Sequence, residues 1–349
     1  MKKFLIKISY TVLPVMSILI GTMIYLSLSI IPNATGDIGK LGMIAFGHEY
    51  NHFLEQNYLK ETLFETIKQE DILSLSNGKE PVEKLDVLTI GDSFSQQGVF
   101  GYQNYLAHKN IKIVNCFDNV TDNPLQIAYD LLDRDIINHK LTKILIVGIG
   151  ERTIDGRIKS FNPSISPKKQ QSIRVNELET AKSSNDWSVS RARDYILYRI
   201  GIENPIYKVR LRQDLFTSDE PNVLYLYNKD IENGNCLKSA TATKITEVYK
   251  TLQDKARERG VKLYLMVAVD KYDLYQNYIV DNQYPRKTIN EDLERVMPNT
   301  PELLLTKNYL VPLLERGEKD IFMFNDTHWS YKASEVVANE IYCKIKDYL

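Results

Sequence analysis

Gly91-Asp92-Ser93-Phe94 follows the apolar run Leu85–Ile90, and Asp326-Thr327-His328-Trp329 follows Ile321–Phe324. Between them they supply a serine, a histidine and an acid. Each sits just after a stretch that reads as a strand. A serine nucleophile, a histidine base and an orienting carboxylate are the parts of acyl-transfer chemistry. Gly91 lets the chain leave its strand without a Cβ clash. Ser93 then falls where a helix begins, with its backbone N–H free to polarise an oxyanion. The bland alternative is that Ser93 only caps that helix. In an extended segment, positions i and i+2 share a side. Asp326 can therefore orient one imidazole nitrogen of His328 while the other faces Ser93. The alternative here is that His328, Ser330 or Asp326 caps the last helix.

Elements that alternate along the chain would have to bring these motifs together. Val87–Ile90, Ile111–Asn115, Ile144–Ile149, Val261–Val269 and Ile321–Phe324 read as five strands. Ile144–Ile149 is continuous and branched, as a strand buried on both faces requires. Between the strands lie helical patterns over 95–109, 123–139, 240–259 and 301–316, and residues 331–348 read as an amphipathic closing helix. The helix over 123–139 has Pro124 in its first turn, and the one over 240–259 closes at Gly260. This alternation predicts a mostly parallel sheet with helices on both faces. Ligands bind such sheets outside the carboxyl ends of the strands. Polar residues gather there: Asp92 and Ser93, then 116–123, Glu151 and Arg152, Asp270 and Lys271, Asp326 and His328.

Residues 153–239 interrupt the alternation, with Pro163, Pro167, Pro205 and Pro221, a helix near 187–199 and the strand-like run Val223–Tyr227. They read as an insertion that packs beside the sheet and shapes the site, or as a flap with no ligand role. The expected organisation is a cytoplasmic N-terminus at 1–7, a transmembrane anchor at 8–31, a juxtamembrane stretch at 32–81 and the α/β domain at 82–349. Within the juxtamembrane stretch, residues 50–71 read as a polar helix and 76–81 as a loop.

The anchor rests on Ile8–Ile31, an uncharged run preceded by Lys2, Lys3 and Lys7. It is long enough to span a bilayer, and its basic flank puts the N-terminus in the cytoplasm. Ala34 and Gly36 make a poor cleavage site, so the segment reads as an uncleaved anchor with the remainder outside the cytoplasm.

A net charge of -1 over 349 residues gives no basic field for nucleic acid. The 22 tyrosines suit a carbohydrate face but equally reflect a compositional bias. Cys116, Cys236 and Cys343 have neither metal nor disulfide spacing. His48 and His52 stand i,i+4 without the glutamate of a metalloprotease helix, and no metal or cofactor is expected.

Gly91-Asp92-Ser93-Phe94, Gly150-Glu151-Arg152, Asp270-Lys271-Tyr272 with Tyr275, and Asp326-Thr327-His328-Trp329 resemble the SGNH/GDSL hydrolase superfamily. More narrowly they resemble the AlgX/AlgJ-like polysaccharide O-acetyltransferases with an Asp-x-His-Trp ending. The resemblance covers about residues 85–345. It implies a three-layer α/β/α sandwich with Ser93 as nucleophile, His328 as base and Asp326 as its partner. Arg152, Glu151, Lys271, Tyr275 and Trp329 are the candidates for substrate contact. The family's asparagine oxyanion donor is absent, because the corresponding stretch reads Gly148-Ile149-Gly150-Glu151. Backbone N–H groups, Arg152 or an asparagine of 119–123 would replace it.

The expected activity is acetyl transfer onto a sugar hydroxyl of a surface or secreted glycan. Acetyl-CoA is not expected outside the cytoplasm, so the resemblance implies a membrane-bound O-acyltransferase as acetyl exporter. The alternatives are a glycan acetyl-esterase of the same fold and an inactive SGNH-fold glycan-binding or assembly protein.

Overall fold

The computed structural model describes residues 2–29, 36–38, 61–68, 71–72, 84–116, 123–164 and 206–349. Among the described residues there are eight strands: β1 Glu65–Ile67, β2 Leu85–Gly91, β3 Ile113–Cys116, β4 Thr142–Gly150, β5 Ile206–Arg210, β6 Val223–Tyr227, β7 Lys262–Ala268 and β8 Leu303–Leu305. Six of them form one sheet in the order β1-β3-β2-β4-β7-β8, and every pairing is parallel. β5 and β6 pair antiparallel as a separate hairpin.

Residues alternate across the central strands between two apolar layers, as the pleat requires. Val87, Ile144, Ile146, Tyr264 and Met266 pack into one layer with Leu310, Val337, Ile341 and the β5–β6 hairpin. Leu88, Ile90, Leu145, Val147, Leu263 and Leu265 face the other, against Leu125, Leu131, Ile245, Val248 and Leu252. The helices Thr306–Glu315 and Tyr331–Ile345 therefore cover one face, and Pro124–Asp133 and Ser239–Glu258 the other. This is the expected α/β/α sandwich. Because all six strands run the same way, the ends of β2, β4 and β7 lie along one edge, with Gly91 beside Gly148 and Gly150 beside Ala268.

Several expectations are corrected. Ile321–Phe324 is not a sheet strand. Its contact is a single antiparallel bridge between Phe322 and Trp329, so this apolar run turns back on its own continuation. The sheet is extended by β8 instead, inside a stretch read as helical from residue 301; the helix there starts at Thr306. The helix expected over 95–109 shrinks to Tyr102–Ala107 behind two 3-10 turns. The end of the helix expected over 50–71 contains β1, a polar edge strand paired with β3. Residues 50–60, the 76–81 loop, His48, His52, 117–122 and the helix near 187–199 lie outside the described residues.

Lys2–Ser29 forms one helix containing Pro14, and Val12, Leu13, Val15 and Ile18 are among its exposed apolar side chains. Among the described residues no helix is long and apolar enough to cross a membrane. This helix covers most of the run expected as an anchor over 8–31, and residues 30 and 31 lie outside the described residues.

Candidate active site

Ser93 opens a 3-10 turn at the end of β2. Asp92, not Ser93, caps that turn: its Oδ1 accepts the Phe94 N–H at 3.1 Å, and its Oδ2 accepts the Gly150 N–H. The Asp92 N–H in turn donates to the Gly148 carbonyl at 3.3 Å. One aspartate thus ties the end of β2 to the end of β4. Burial pushes its carboxyl up, against these two N–H groups and the nearby charges of Arg152 and His328. Because Asp92 does the capping, the half-buried Ser93 hydroxyl has no hydrogen-bond partner among the described residues. The glycine before it is a matter of space. A Cβ on Gly91 would lie 2.7 Å from Ser95 Cβ.

The histidine motif reaches this turn through aromatic packing. The Phe94 ring lies 5.0 Å from that of His328 and 4.7 Å from that of Trp329. Gln97 adds a polar tie, its Nε2 donating to the Trp329 carbonyl at 3.1 Å. His328 Nδ1 is 2.6 Å from Asp326 Oδ1, while His328 Nε2 is buried without a partner among the described residues. Phe94 thus makes the Ser93 turn a neighbour of the His328 ring, and among the described residues no hydrogen bond joins Ser93 to Nε2. Such contacts are often loose until substrate binds.

Electrostatics suit a base. Burial would lower the imidazole pKa, but the hydrogen bond and charge of Asp326 and the charge of Asp37 outweigh it and hold it above the usual value. Burial would raise the Asp326 carboxyl. The His328 hydrogen bond and charge, with backbone N–H groups of Asp37 and His328, hold it below the usual range.

Asp37, Asp326 and His328 are the group among the described residues whose ligand atoms are close enough for a metal. Their polar atoms already serve one another. Nδ1 pairs with Asp326 Oδ1, and the Asp37 N–H donates to Asp326 Oδ2 at 3.0 Å. That is the chemistry of an oriented imidazole rather than of a vacant ligand set. Nothing in the sequence marks Asp37 as part of this group.

Of the residues expected to touch substrate, Arg152 borders the site. Its guanidinium donates to Asp230 Oδ1 at 2.8 Å and to Thr327 Oγ1 at 3.4 Å, and lies 5.7 Å from the Tyr227 ring centre. A cleft of about 600 Å³ opens beside it, with Arg157, Lys159, Lys238, Asp155 and Glu232 in its walls. The other four candidates are buried and hold the site from behind. Glu151 Oε2 accepts the Asp270 N–H at 3.0 Å. Burial, with Asp270 and Asp273 nearby, raises its pKa well above the usual range. Lys271 Nζ donates to the carbonyls of Met323, Phe324 and Asp326 at 2.7, 3.0 and 3.0 Å. The Tyr275 hydroxyl accepts the Phe322 N–H at 3.2 Å. Trp329 is fully buried under Phe94.

The second oxyanion donor narrows. The Gly150 N–H is taken by Asp92. Asn123 caps Leu125 with its Oδ1 and donates to the Arg157 carbonyl and Ser160 Oγ with its Nδ2. Among the described residues Arg152 remains, as a cation held between Asp230 and Thr327, while Asn119 lies outside them.

Residues 215–348 match the family model described as an SGNH hydrolase-like domain, acetyltransferase AlgX. The resemblance drawn from the motifs holds for this stretch, which contains Asp326, His328, Lys271, Tyr275 and Trp329 and stops short of Ser93, Glu151 and Arg152. No curated protein matches the chain.

Proposed function

We propose that the protein is a membrane-anchored, extracytoplasmic O-acetyltransferase. It moves an acetyl group through a Ser93 acyl-enzyme onto a sugar hydroxyl of an exopolysaccharide or cell-wall glycan. The observation that carries this reading is the state of His328: Nδ1 is held by a carboxylate at 2.6 Å, and Nε2 is buried, without a partner among the described residues, beside the turn that Ser93 opens. That is a base with one nitrogen oriented and the other unengaged. The family match over 215–348 supports acetyltransferase or hydrolase chemistry.

In the first half-reaction Ser93 Oγ attacks the acetyl carbonyl while His328 Nε2 takes its proton. The carbonyl oxygen becomes an oxyanion, held by the Ser93 N–H and the Arg152 guanidinium. Collapse breaks the bond to the leaving group, which collects the proton from His328. In the second half a sugar hydroxyl gives its proton to Nε2 and attacks the acetyl carbon; the bond to Ser93 Oγ breaks, and Oγ takes the proton back from His328. The cleft beside Arg152 is the route for the glycan. Esterase activity would use the same residues with water as acceptor.

The acetyl donor side is a membrane-bound O-acyltransferase that exports acetyl groups, docked beside an anchor formed by the uncharged run at 8–31. The basic N-terminus is cytoplasmic and the α/β domain faces outward. Fractionation with protease protection tests this: a domain that is soluble, or shielded inside the cell, overturns the topology.

The chemistry is tested by incubating the protein with an activated acetyl ester and weighing it intact, with and without an oligosaccharide. Acetyl on Ser93 that passes to the sugar supports transfer. Hydrolysis indifferent to the sugar favours the esterase. Absence of an adduct, with Ser93→Ala behaving like the unsubstituted protein, removes the catalytic reading.

A further inference from the structure

The short segment Gly36–Ile38 is packed on the loop that carries the histidine. The Ile38 N–H donates to the Asn325 carbonyl at 3.1 Å, and the Ile38 side chain is fully buried. Gly36 has φ +70°, and a Cβ there would come within 2.8 Å of the Asn325 carbonyl carbon. Only glycine takes both that conformation and that approach cheaply. The segment delivers Asp37 to the site with three contacts. Its N–H donates to Asp326 Oδ2 at 3.0 Å, and its Oδ2 accepts from Thr327 Oγ1 at 3.2 Å. The same Oδ2 lies 3.4 Å from His328 Nδ1.

We infer that Asp37 is a positioning residue of this active site, a second carboxylate that acts with Asp326 to hold and charge-tune the His328 imidazole. The inference rests on the reading of Ser93 and His328 as nucleophile and base. Its backbone occupies the Asp326 oxygen that does not face the ring, which leaves the other oxygen for Nδ1. Its carboxylate fixes Thr327, the residue between acid and base, and stabilises the imidazolium that forms when Ser93 is deprotonated. Asp37 lies outside 215–348, so the site is completed by a segment sequence-remote from the domain that carries the histidine. The charged groups that act on His328 are the anions Asp326, Asp37 and Asp92 and the cation Arg152.

Asp37→Asn keeps an oxygen for Thr327 and removes the charge, whereas Asp37→Ala removes both. The full-length protein in detergent is acetylated with a nitrophenyl ester, and the rate of Ser93 adduct formation is followed from about pH 5 to 9. In Asp37→Asn the acid limb should move down by roughly half a unit to one unit, because removing an anion destabilises the imidazolium. In Asp37→Ala the plateau should also fall about tenfold, as expected for a loosened base. An acid limb and plateau unmoved in both variants overturn the inference. NMR titration of His328 separates this from the parent reading. A lower His328 pKa in Asp37→Asn supports the role of Asp37 even in a protein that forms no adduct, and an unchanged pKa rejects it even in an active one.

Discussion

A single oxygen, Asp326 Oδ1, accepts both the His328 ring Nδ1–H, at 2.6 Å, and the His328 backbone N–H, at 3.0 Å. Ring and main chain are therefore referenced to the same atom. The imidazole can neither swing out nor change tautomer without losing a bond. Asp326→Asn is expected to keep the backbone bond and place an amide against the ring, which favours the wrong tautomer. Removing the orienting acid of such a triad costs about 10⁴-fold in turnover. Adduct formation on Ser93 should fall on that scale in Asp326→Asn and vanish in Ser93→Ala. A variant within tenfold of the unsubstituted protein shows that Asp326 does not orient the base.

The pH dependence of activity and of stability should run in opposite directions. His328 must be neutral to accept a proton, and its pKa is held above 6.5. Acylation should rise with pH, with an inflection above that value. A pKa raised on folding contributes stability below the unfolded pKa and loses it as pH climbs through the folded one. His328 behaves this way, and so do the buried acids Glu151, Asp230 and Asp273; burial moves the last two up to about 6. Asp326, held low, contributes throughout that range. The melting temperature should therefore decline between about pH 5 and 7 while the acylation rate increases. Parallel melting and activity profiles contradict this assignment.

Lys271 controls where Asp326 sits. Its ammonium has three N–H groups, and the carbonyls of Met323, Phe324 and Asp326 accept them. Burial pushes its pKa down to about 7, with the Asp326 and Asp230 charges opposing. Lys271→Met has similar length and removes a costly buried charge. It also strands three carbonyls, each worth about 1–3 kcal/mol when unsatisfied. Urea unfolding should show a net loss of about 2–4 kcal/mol. Amide exchange at 323–328 should accelerate more than in the central strands. Uniform exchange with unchanged stability would show that the clamp holds nothing.

The sheet's centre is legible because β2, β4 and β7 are dominated by apolar residues on both faces, as strands buried on both sides require. β1 is not, since an edge strand of Glu65-Thr66-Ile67 needs no apolar pattern. Ile321–Phe324 has the composition of a strand, but Tyr275 and its own return to Trp329 satisfy its backbone locally. Ser93, Asp326 and His328 are readable because each follows an apolar run that turns. Lys271 and Tyr275 are placed near the site by their position after β7. That they face inward depends on packing, which periodicity over five residues cannot carry. Asp37 has no signal at all, as its partners are Asp326, Thr327 and His328, far along the chain.

Gly150 tests whether the serine turn depends on β4. Its backbone is extended, at φ −74° and ψ 139°, so alanine has no conformational penalty. The obstacle is contact: a Cβ would lie 2.9 Å from Asp92 Oδ2, the atom that accepts the Gly150 N–H. Gly150→Ala must displace the carboxylate that also caps Phe94, and the Ser93 turn moves with it. Overpacking of this kind costs about 1–3 kcal/mol. A shift of about 1 Å at the nucleophile costs on the order of 10²-fold in rate. Gly156→Ala is the matched control. It sits inside the helix Ile154–Ser160, and a Cβ there meets nothing within 4 Å. That change should stabilise by about 0.5–1 kcal/mol and leave acylation unaltered. If both variants acylate Ser93 at the same rate, the Asp92–Gly150 contact does not set the position of the nucleophile.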